Sequence, residues 1–531
     1  MDHYFDADIS TRRELRTSVD QTFLSHFPPG TYRGLAECQK ALRLWHDAFK
    51  EHFAKSIRVA SCRETLQLAL AEYDKTCSFE RARKEGLISP KHAETTTFKI
   101  IHKRRALRLI IEQITAHYRD APVMTQDKSA LYHANVVWFA ASEMVSASID
   151  SEALTRLFPS EAQITVLPGD TGYRFQIDFK ELLDFESHMA SVLPNTLPML
   201  IRHDLSTTPL DADLVKNIID PVFTRRFGAG IFDYIGVIND SAKHVITRSY
   251  DLGVPFIEQK FLAENVQRAT GASRKQVRQI LKGLSLTPAA ASDSADEHWK
   301  MSREYRTRSR PLIALQYNNV PHFAYSLGML EEGVLMRLID ATYRKLPDEW
   351  GNGGLRACIE KYARAVDHRF EQTVAKKLGD FGIDARTIGR TLGAGKKSVK
   401  TPDHIGDIDV LAWDRSRKAL IVIECKRIKE VFEPIGMAGL RSKLYDQPQG
   451  AVAQADRKAR WVRRNLKEVC FALSAGHVFH DSVKDCTHSL AMVTTLYEPH
   501  REFFNPAAPV YSLGEILDHS EPESFLSKLS K

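Results

Sequence analysis

Two apolar runs separated by a short polar stretch constrain this chain more than any other feature: Ile408-Asp409-Val410-Leu411-Ala412-Trp413, then Ala419-Leu420-Ile421-Val422-Ile423-Glu424-Cys425-Lys426. Successive side chains of an extended backbone point to opposite faces, so Glu424 and Lys426 share one face of a strand. A turn centred on Arg415 to Lys418 makes the pair an antiparallel hairpin and sets Asp409 roughly opposite Glu424. Two carboxylates and an ammonium then meet at one end of a sheet that is otherwise apolar.

Such a cluster suits a hard divalent cation. Mg²⁺ prefers oxygen ligands in an octahedron and takes only one or two protein carboxylates, leaving other positions to water and substrate phosphate. Asp409 and Glu424 would supply the carboxylates and the Cys425 backbone carbonyl a third oxygen. Lys426 would orient or deprotonate an attacking water, or neutralise charge in the transition state, with the metal as Lewis acid and water activator.

Gly406-Asp407-Ile408-Asp409, a hairpin, and Glu424-Cys425-Lys426 together resemble the core of the PD-(D/E)XK, or restriction-endonuclease-like, nuclease superfamily. The resemblance covers the C-terminal third alone. It implies an α-β-β-β-α-β core and phosphodiester hydrolysis dependent on Mg²⁺ or Mn²⁺. Asp409 matches the family's metal-binding aspartate, Glu424 its second acidic ligand and Lys426 its catalytic lysine. Asp407 stands where many relatives have an acidic residue, and Ile408 replaces the proline of the family's name.

The flanking sequence agrees with that core. Leu355, Ile359, Tyr362, Val366, Phe370, Val374 and Leu378 recur at helical steps of three and four, predicting an amphipathic helix that ends near Gly379. Glu371 lies beside this stripe and matches the first-helix glutamate that joins the metal in many relatives. Arg386 to Thr391 reads as a short strand. Val452, Ala455, Ala459, Val462, Leu466 and Val469 predict one helix after Lys426, whose other faces carry Gln454, Arg457 and Lys458 as candidate nucleic-acid contacts. Some relatives have Gln-x-x-x-Tyr here; Gln454 is followed at that spacing by Lys458. Ser489 to Leu496 reads as the closing strand.

Charge supports a polyanionic partner. The chain of 531 residues carries 74 Lys and Arg against 67 Asp and Glu, and residues 351–531 hold 29 and 23 of them, so nearly all the net +7 belongs to the last third. Arg386, Arg390, Lys396, Lys397 and Lys400 form an acid-free basic run before the carboxylates, a rim for backbone phosphates. The Gly393–Ser398 stretch lacks the Gly-x-x-x-x-Gly-Lys spacing of a phosphate-cradling loop and reads as a mobile basic loop.

The remainder is globular in composition, 43% hydrophobic and 27% charged. The polar opening Met1-Asp2-His3-Tyr4-Phe5-Asp6 lacks a signal-peptide pattern, no apolar run has membrane-spanning length, and seven scattered cysteines without Cys-x-x-Cys fit reduced thiols in a cytoplasm. His480, Cys486 and His488 miss zinc-site spacing. Residues 1–155 predict a helical domain. Residues 156–351 predict a mainly helical region with a β-hairpin at 163–177, helix from about Phe179 and an exposed loop at Pro288–Glu297. Within it, residues 261–282 are similar to a helix-turn-helix, with Gly271 at the turn, Ser273 as cap, Val266, Val277 and Ile280 packing, and Arg274, Lys275 and Arg278 outward. Gln267 stands where a small residue is usual, and two helices meeting at a glycine also serve plain packing.

The expectation is therefore an α+β chain: a mainly α-helical N-terminal region, then a mixed central sheet flanked by helices in residues 352–531. Its function would be that of a Mg²⁺-dependent endodeoxyribonuclease acting on double-stranded DNA, in the manner of a bacterial restriction or phage-defence effector, with Arg274 and Arg278 as subsidiary contacts. The N-terminal region would serve a protein partner or a second copy of the chain. The alternative is a regulatory nucleic-acid-binding protein whose nuclease fold is non-catalytic.

Overall fold

In a computed structural model of the chain, both runs of the hairpin are strands with all or nearly all of their length buried: β11 is Ile408–Asp414 and β12 is Ala419–Lys426. Only a sheet covered on both faces makes near-continuous apolar strands stable. The structure describes residues 9–85, 87–88, 90–120, 128–156, 162–167, 174–177, 214–246, 253–292, 307, 309–342, 344, 347–351, 353–393, 398–414, 418–428, 434–474, 487–494 and 509–518.

The chain is mixed α+β, with a mainly helical N-terminal region and a C-terminal mixed sheet flanked by helices. It divides into two compact units, one containing Ala212–Tyr362 with the described residues before it, the other containing Ala363–Phe432 and Gly436–Lys531. Among the described residues no helix is long and apolar enough to cross a membrane.

The first unit begins with five helices: α1 (Ile9–Leu24), α2 (Leu35–Ala60), α3 (Arg63–Lys84), α4 (Pro90–His117) and α5 (Lys128–Arg156). One side of α2 buries Cys38, Leu42, Trp45, Phe49, Phe53 and Ile57, the recurrence of three and four that holds it against α5. The predicted hairpin is present as β2 (Gln163–Leu167) and β3 (Arg174–Ile177), with Ile164 opposite Ile177. A third strand that the sequence did not announce, β1 (Gly30–Arg33), pairs with β2 from over a hundred residues upstream. The helix expected from Phe179 lies outside the described residues. Helix resumes near Leu214, with a π-helical turn at Val215–Ile219, α6 (Asp220–Phe227) and α7 (Ile231–Ile246).

Next come β4 (Phe256–Glu258), α8 (Gln259–Thr270), α9 (Arg274–Leu284), β5 (Ser285–Leu286), α10 (Pro288–Ser292), β6 (Leu312–Tyr317), β7 (Val320–Ala324) and α11 (Leu327–Thr342). The strands form one sheet in the order β4-β7-β6-β5. The loop expected at Pro288 instead opens as the short helix α10, because Ala291 is buried and anchors it.

The second unit is built on a five-stranded sheet of order β14-β13-β12-β11-β8. The long helix α12 (Gly353–Asp380) precedes β8 (Asp384–Gly389), in agreement with the predicted stripe. The small ribbon β9 (Thr391–Leu392) and β10 (Val399–Lys400) comes before β11. After β12 come α13 (Pro434–Arg441), a π-helical turn at Ser442–Asp446, α14 (Ala451–Arg464) and α15 (Leu466–Ser474). Strands β13 (Thr487–Thr494) and β14 (Val510–Ser512) run parallel to β12, and α16 (Leu513–Asp518) follows. Parallel neighbours require a long crossover, and α13 to α15 lie in that crossover.

Two departures from the sequence reading have local causes. The single helix expected across Val452 to Val469 is two, because Asn465 ends the first by turning its side-chain amide onto the Trp461 carbonyl at 2.8 Å. The expected closing strand is β13, yet β14 lies outside it at the sheet edge.

Alternation fixes which side of the sheet each residue serves. Val410, Ala412, Ile421 and Ile423 pack on Phe370, Val374 and Leu378 of α12. Leu411, Trp413, Leu420 and Val422 pack on Val462, Val469 and Ala472 of α14 and α15. Asp409 and Glu424 have the parity of this second set and face α14. Ile423→Ala is expected to weaken this sheet by about 2–5 kcal/mol. Amide hydrogen exchange of β11 and β12 should accelerate at least about tenfold; unchanged exchange would contradict this placement of the core.

Candidate functional site

The hairpin register places the acids. Val410 lies opposite Ile423 and Asp414 opposite Ala419, so the same antiparallel register carried one step outward sets Asp409 opposite Glu424. Residues 415–417 of the expected turn lie outside the described residues. Both carboxylates are buried, Glu424 completely.

A cation from the facing helix joins them. Lys458 of α14 is only 5% exposed, and its ammonium lies 3.0 Å from Asp409 Oδ1 and also donates to Glu424 Oε2. The second Asp409 oxygen accepts the Cys425 backbone N–H at 2.8 Å. Lys426 Nζ lies 2.6 Å from Glu424 Oε1, although that oxygen accepts no well-directed hydrogen bond. Lys426 also donates to Gln454 Oε1 at 3.3 Å, while the Gln454 amide is held by its own hydrogen bond to the Gln449 carbonyl at 2.7 Å. Gln454 and Lys458 are one helical turn apart on α14, so both reach the same strand ends.

Electrostatics explains why one lysine does not quiet this cluster. Burial raises the Asp409 carboxyl above its ordinary range and the charge of Glu424 raises it further, against the pull of Lys458 and Lys426. Burial alone would lower the Lys458 pKa, but Asp409 and Glu424 outweigh it and the ammonium is stabilised. A single buried ammonium thus leaves two buried carboxylates partly uncompensated, since the Lys426 side chain is one-third exposed and screened.

Other predicted residues fall differently. Glu371 of α12 pairs with His368 at 3.3 Å; burial and then Asp409 and Asp367 push its carboxyl up to about 8. Among the described residues no group of three or more His, Cys, Asp or Glu side chains has metal-holding geometry. Asp409 and Glu424 offer carboxylate oxygens, the ligand type that Mg²⁺ takes. The shared position of the Lys458 ammonium shows that Asp409 and Glu424 converge on one cation. Burial, then Asp409 and Glu371, hold the Cys425 thiol well above its usual range, so it stays protonated.

Lys458 corrects the sequence reading most sharply. It was expected on a nucleic-acid-facing surface and is instead buried on the acids. Its signal was available: four residues after Gln454 it must share that residue's helix face. The acid-free basic rim is corrected too, because Arg390 pairs with Asp407 at 2.8 Å and Asp403 at 2.9 Å, and Arg386 with Asp384 at 3.4 Å. Asp407 therefore belongs to this exposed pairing. Lys400 is exposed, and Arg457 donates to the Pro448 carbonyl at 2.8 Å. Lys396 and Lys397 lie outside the described residues, as do His480 and Cys486. No protein-family model, curated protein or solved structure matches the chain.

Lys458→Met is expected to cost about 3–5 kcal/mol at neutral pH, because it strands two buried carboxylates. The Asp409 carboxyl, already raised by burial, would lose the opposing pull of Lys458, so the deficit grows as pH rises and closes as pH falls into the carboxylate range. Urea unfolding of both proteins over a pH series measures the gap. A gap independent of pH would contradict the assignment.

Proposed function

We propose that Asp409, Glu424 and Lys426 form the centre of a Mg²⁺- or Mn²⁺-dependent nuclease that hydrolyses phosphodiester bonds, with DNA as substrate. The fold proposed for the C-terminal unit is that of the PD-(D/E)XK superfamily. One observation carries this reading: buried acids from the two strands of a hairpin converge on the single ammonium of Lys458, with the one-third-exposed Lys426 beside them.

Asp409, Glu424 and the Cys425 carbonyl would hold the metal, which when bound supplies Lewis acidity and a more acidic water. The chain's own groups divide the remaining work. Lys426, aimed by Gln454, meets the substrate side and neutralises negative charge gathering on the phosphate oxygens. Lys458 holds the two carboxylates together. Asp367 receives Arg427 at 2.6 Å, tying the end of β12 to α12 and limiting motion of Lys426. Exposed Lys400 offers a phosphate contact outside the pocket.

Purified full-length protein incubated with supercoiled, linear and single-stranded DNA tests this reading. Cleavage is expected with Mg²⁺ or Mn²⁺ and not with EDTA, and Ca²⁺ should support binding more than turnover. Lys426→Ala should reduce the rate by about 10²-fold or more. Undiminished cleavage in EDTA, or by Lys426→Ala, would sink the mechanism.

A further inference from the structure

The helix-turn-helix-like segment is built as one. Helix α8 ends at Gly271, whose positive φ of 69° closes the turn, and its N–H returns to the Gln267 carbonyl at 2.9 Å. Ser273 caps α9 through a reciprocal box: the Ser273 N–H donates to Gln276 Oε1 at 2.8 Å, and the Gln276 N–H to Ser273 Oγ at 3.4 Å. Gln267 is exposed, so its bulk meets no neighbour.

One side of α9 is fixed inward. Val277, Ile280, Leu281 and Leu284 are buried, Ala272 sits against Gly228, and Gly283 admits the Trp350 ring. The Gln276 amide donates to the Arg226 carbonyl at 2.9 Å, and Arg310 donates to the Lys282 and Ser285 carbonyls at 3.3 and 3.2 Å. Behind the helix pair, β6 and β7 form a hairpin whose turn residues Asn318 and Asn319 both have positive φ, as a two-residue turn requires. Strand β4, which leads into α8, pairs with β7 of the same sheet.

The opposite side of α9 presents Arg274, Lys275, Arg278 and Lys282, all exposed, with no acidic residue anywhere in the helix. At 100° per residue they lie within roughly 100° of arc, along about 12 Å of axis. None of the four is in an ion pair among the described residues. Other exposed cations of this unit do find carboxylates, Arg81 with Glu331 and Lys243 with Asp240 among them. Glu349, whose backbone carbonyl accepts the Gln279 amide at 2.7 Å, is paired with Arg310 at 2.8 Å.

We infer that α9 is a second, independent nucleic-acid site that enters the major groove of B-form duplex DNA. Charge complementarity selects a polyanion. The groove selects the duplex form: it is about 12 Å wide in B-DNA and admits a helix, whereas the A-form major groove of RNA is too narrow. Arg274 and Arg278, in the N-terminal half of the helix, meet base edges, where a guanidinium pairs with guanine O6 and N7; Lys275 and Lys282 meet phosphates. The inference does not rest on catalysis in the other unit.

The test uses the full chain in EDTA, so that cleavage plays no part, with fluorescein-labelled DNA duplexes of varied sequence and an RNA duplex, read by anisotropy over a salt series. Lys275→Ala with Lys282→Ala should weaken binding and lower the salt slope by about 2. Arg274→Ala with Arg278→Ala should weaken binding to the preferred duplex about tenfold or more and flatten the ranking of sequences. Arg274→Lys with Arg278→Lys should recover much of the affinity without the ranking. Wild-type binding and ranking in both alanine pairs would overturn the inference, as would RNA duplex bound as tightly as DNA or no binding of DNA by the wild type. A protein that binds in this way but never cuts would leave α9 assigned and refute the nuclease reading alone.

Discussion

The buried Lys458 ammonium between Asp409 and Glu424 is the interaction on which the C-terminal unit turns. Two carboxylates facing each other across a hairpin repel, and burial amplifies that repulsion. A cation must therefore accompany the fold, and α14 brings it. The same helix buries Val462 in the apolar layer over Leu411 and Leu420, so hydrophobic packing sets its position and Lys458 is delivered one turn earlier. Gln454 is delivered with it, which is why Lys426 has a partner other than Glu424. Site geometry thus follows from sheet register plus one helix.

That dependence explains what could be read from sequence. Strand period fixes faces, and a four-residue turn fixes register, so the facing of Asp409 and Glu424 was legible from local spacing. The apolar stripe of α12 was legible for the same reason. The helix face of Lys458 was legible, four residues after Gln454, but its burial was not, because hydrophobic periodicity reports which residues face a core and not which charges reach over its edge. The basic run at Arg386 to Lys400 misled in the opposite way: its acidic partners lie just outside it, Asp384 before and Asp403 and Asp407 after, so the run by itself shows none of them. Pairings such as β1 with β2 depend on contacts over long sequence separations, for which neither strand carries a signal of its own.

The α9 face and the Asp409–Glu424 cluster rest on different physics. The first keeps four cations in solvent, where an ammonium or guanidinium is cheaply charged and attracts phosphates over a Debye length. In the second, charges are held inside, where each is costly unless matched and where small displacements change energies strongly. Solvated cations suit capture of a long polyanion, and buried, imperfectly matched carboxylates suit retention of a compact divalent ion.

Calorimetric titration of Mn²⁺ into the wild type and Asp409→Asn, without nucleic acid, tests the cation site most directly. One binding event per chain is expected in the wild type, with affinity reduced about tenfold or more in the variant, since an amide oxygen replaces a charged ligand of a hard cation. Equal binding by the two proteins, or none by the wild type alone or with DNA added, would contradict a divalent-cation centre on Asp409 and Glu424.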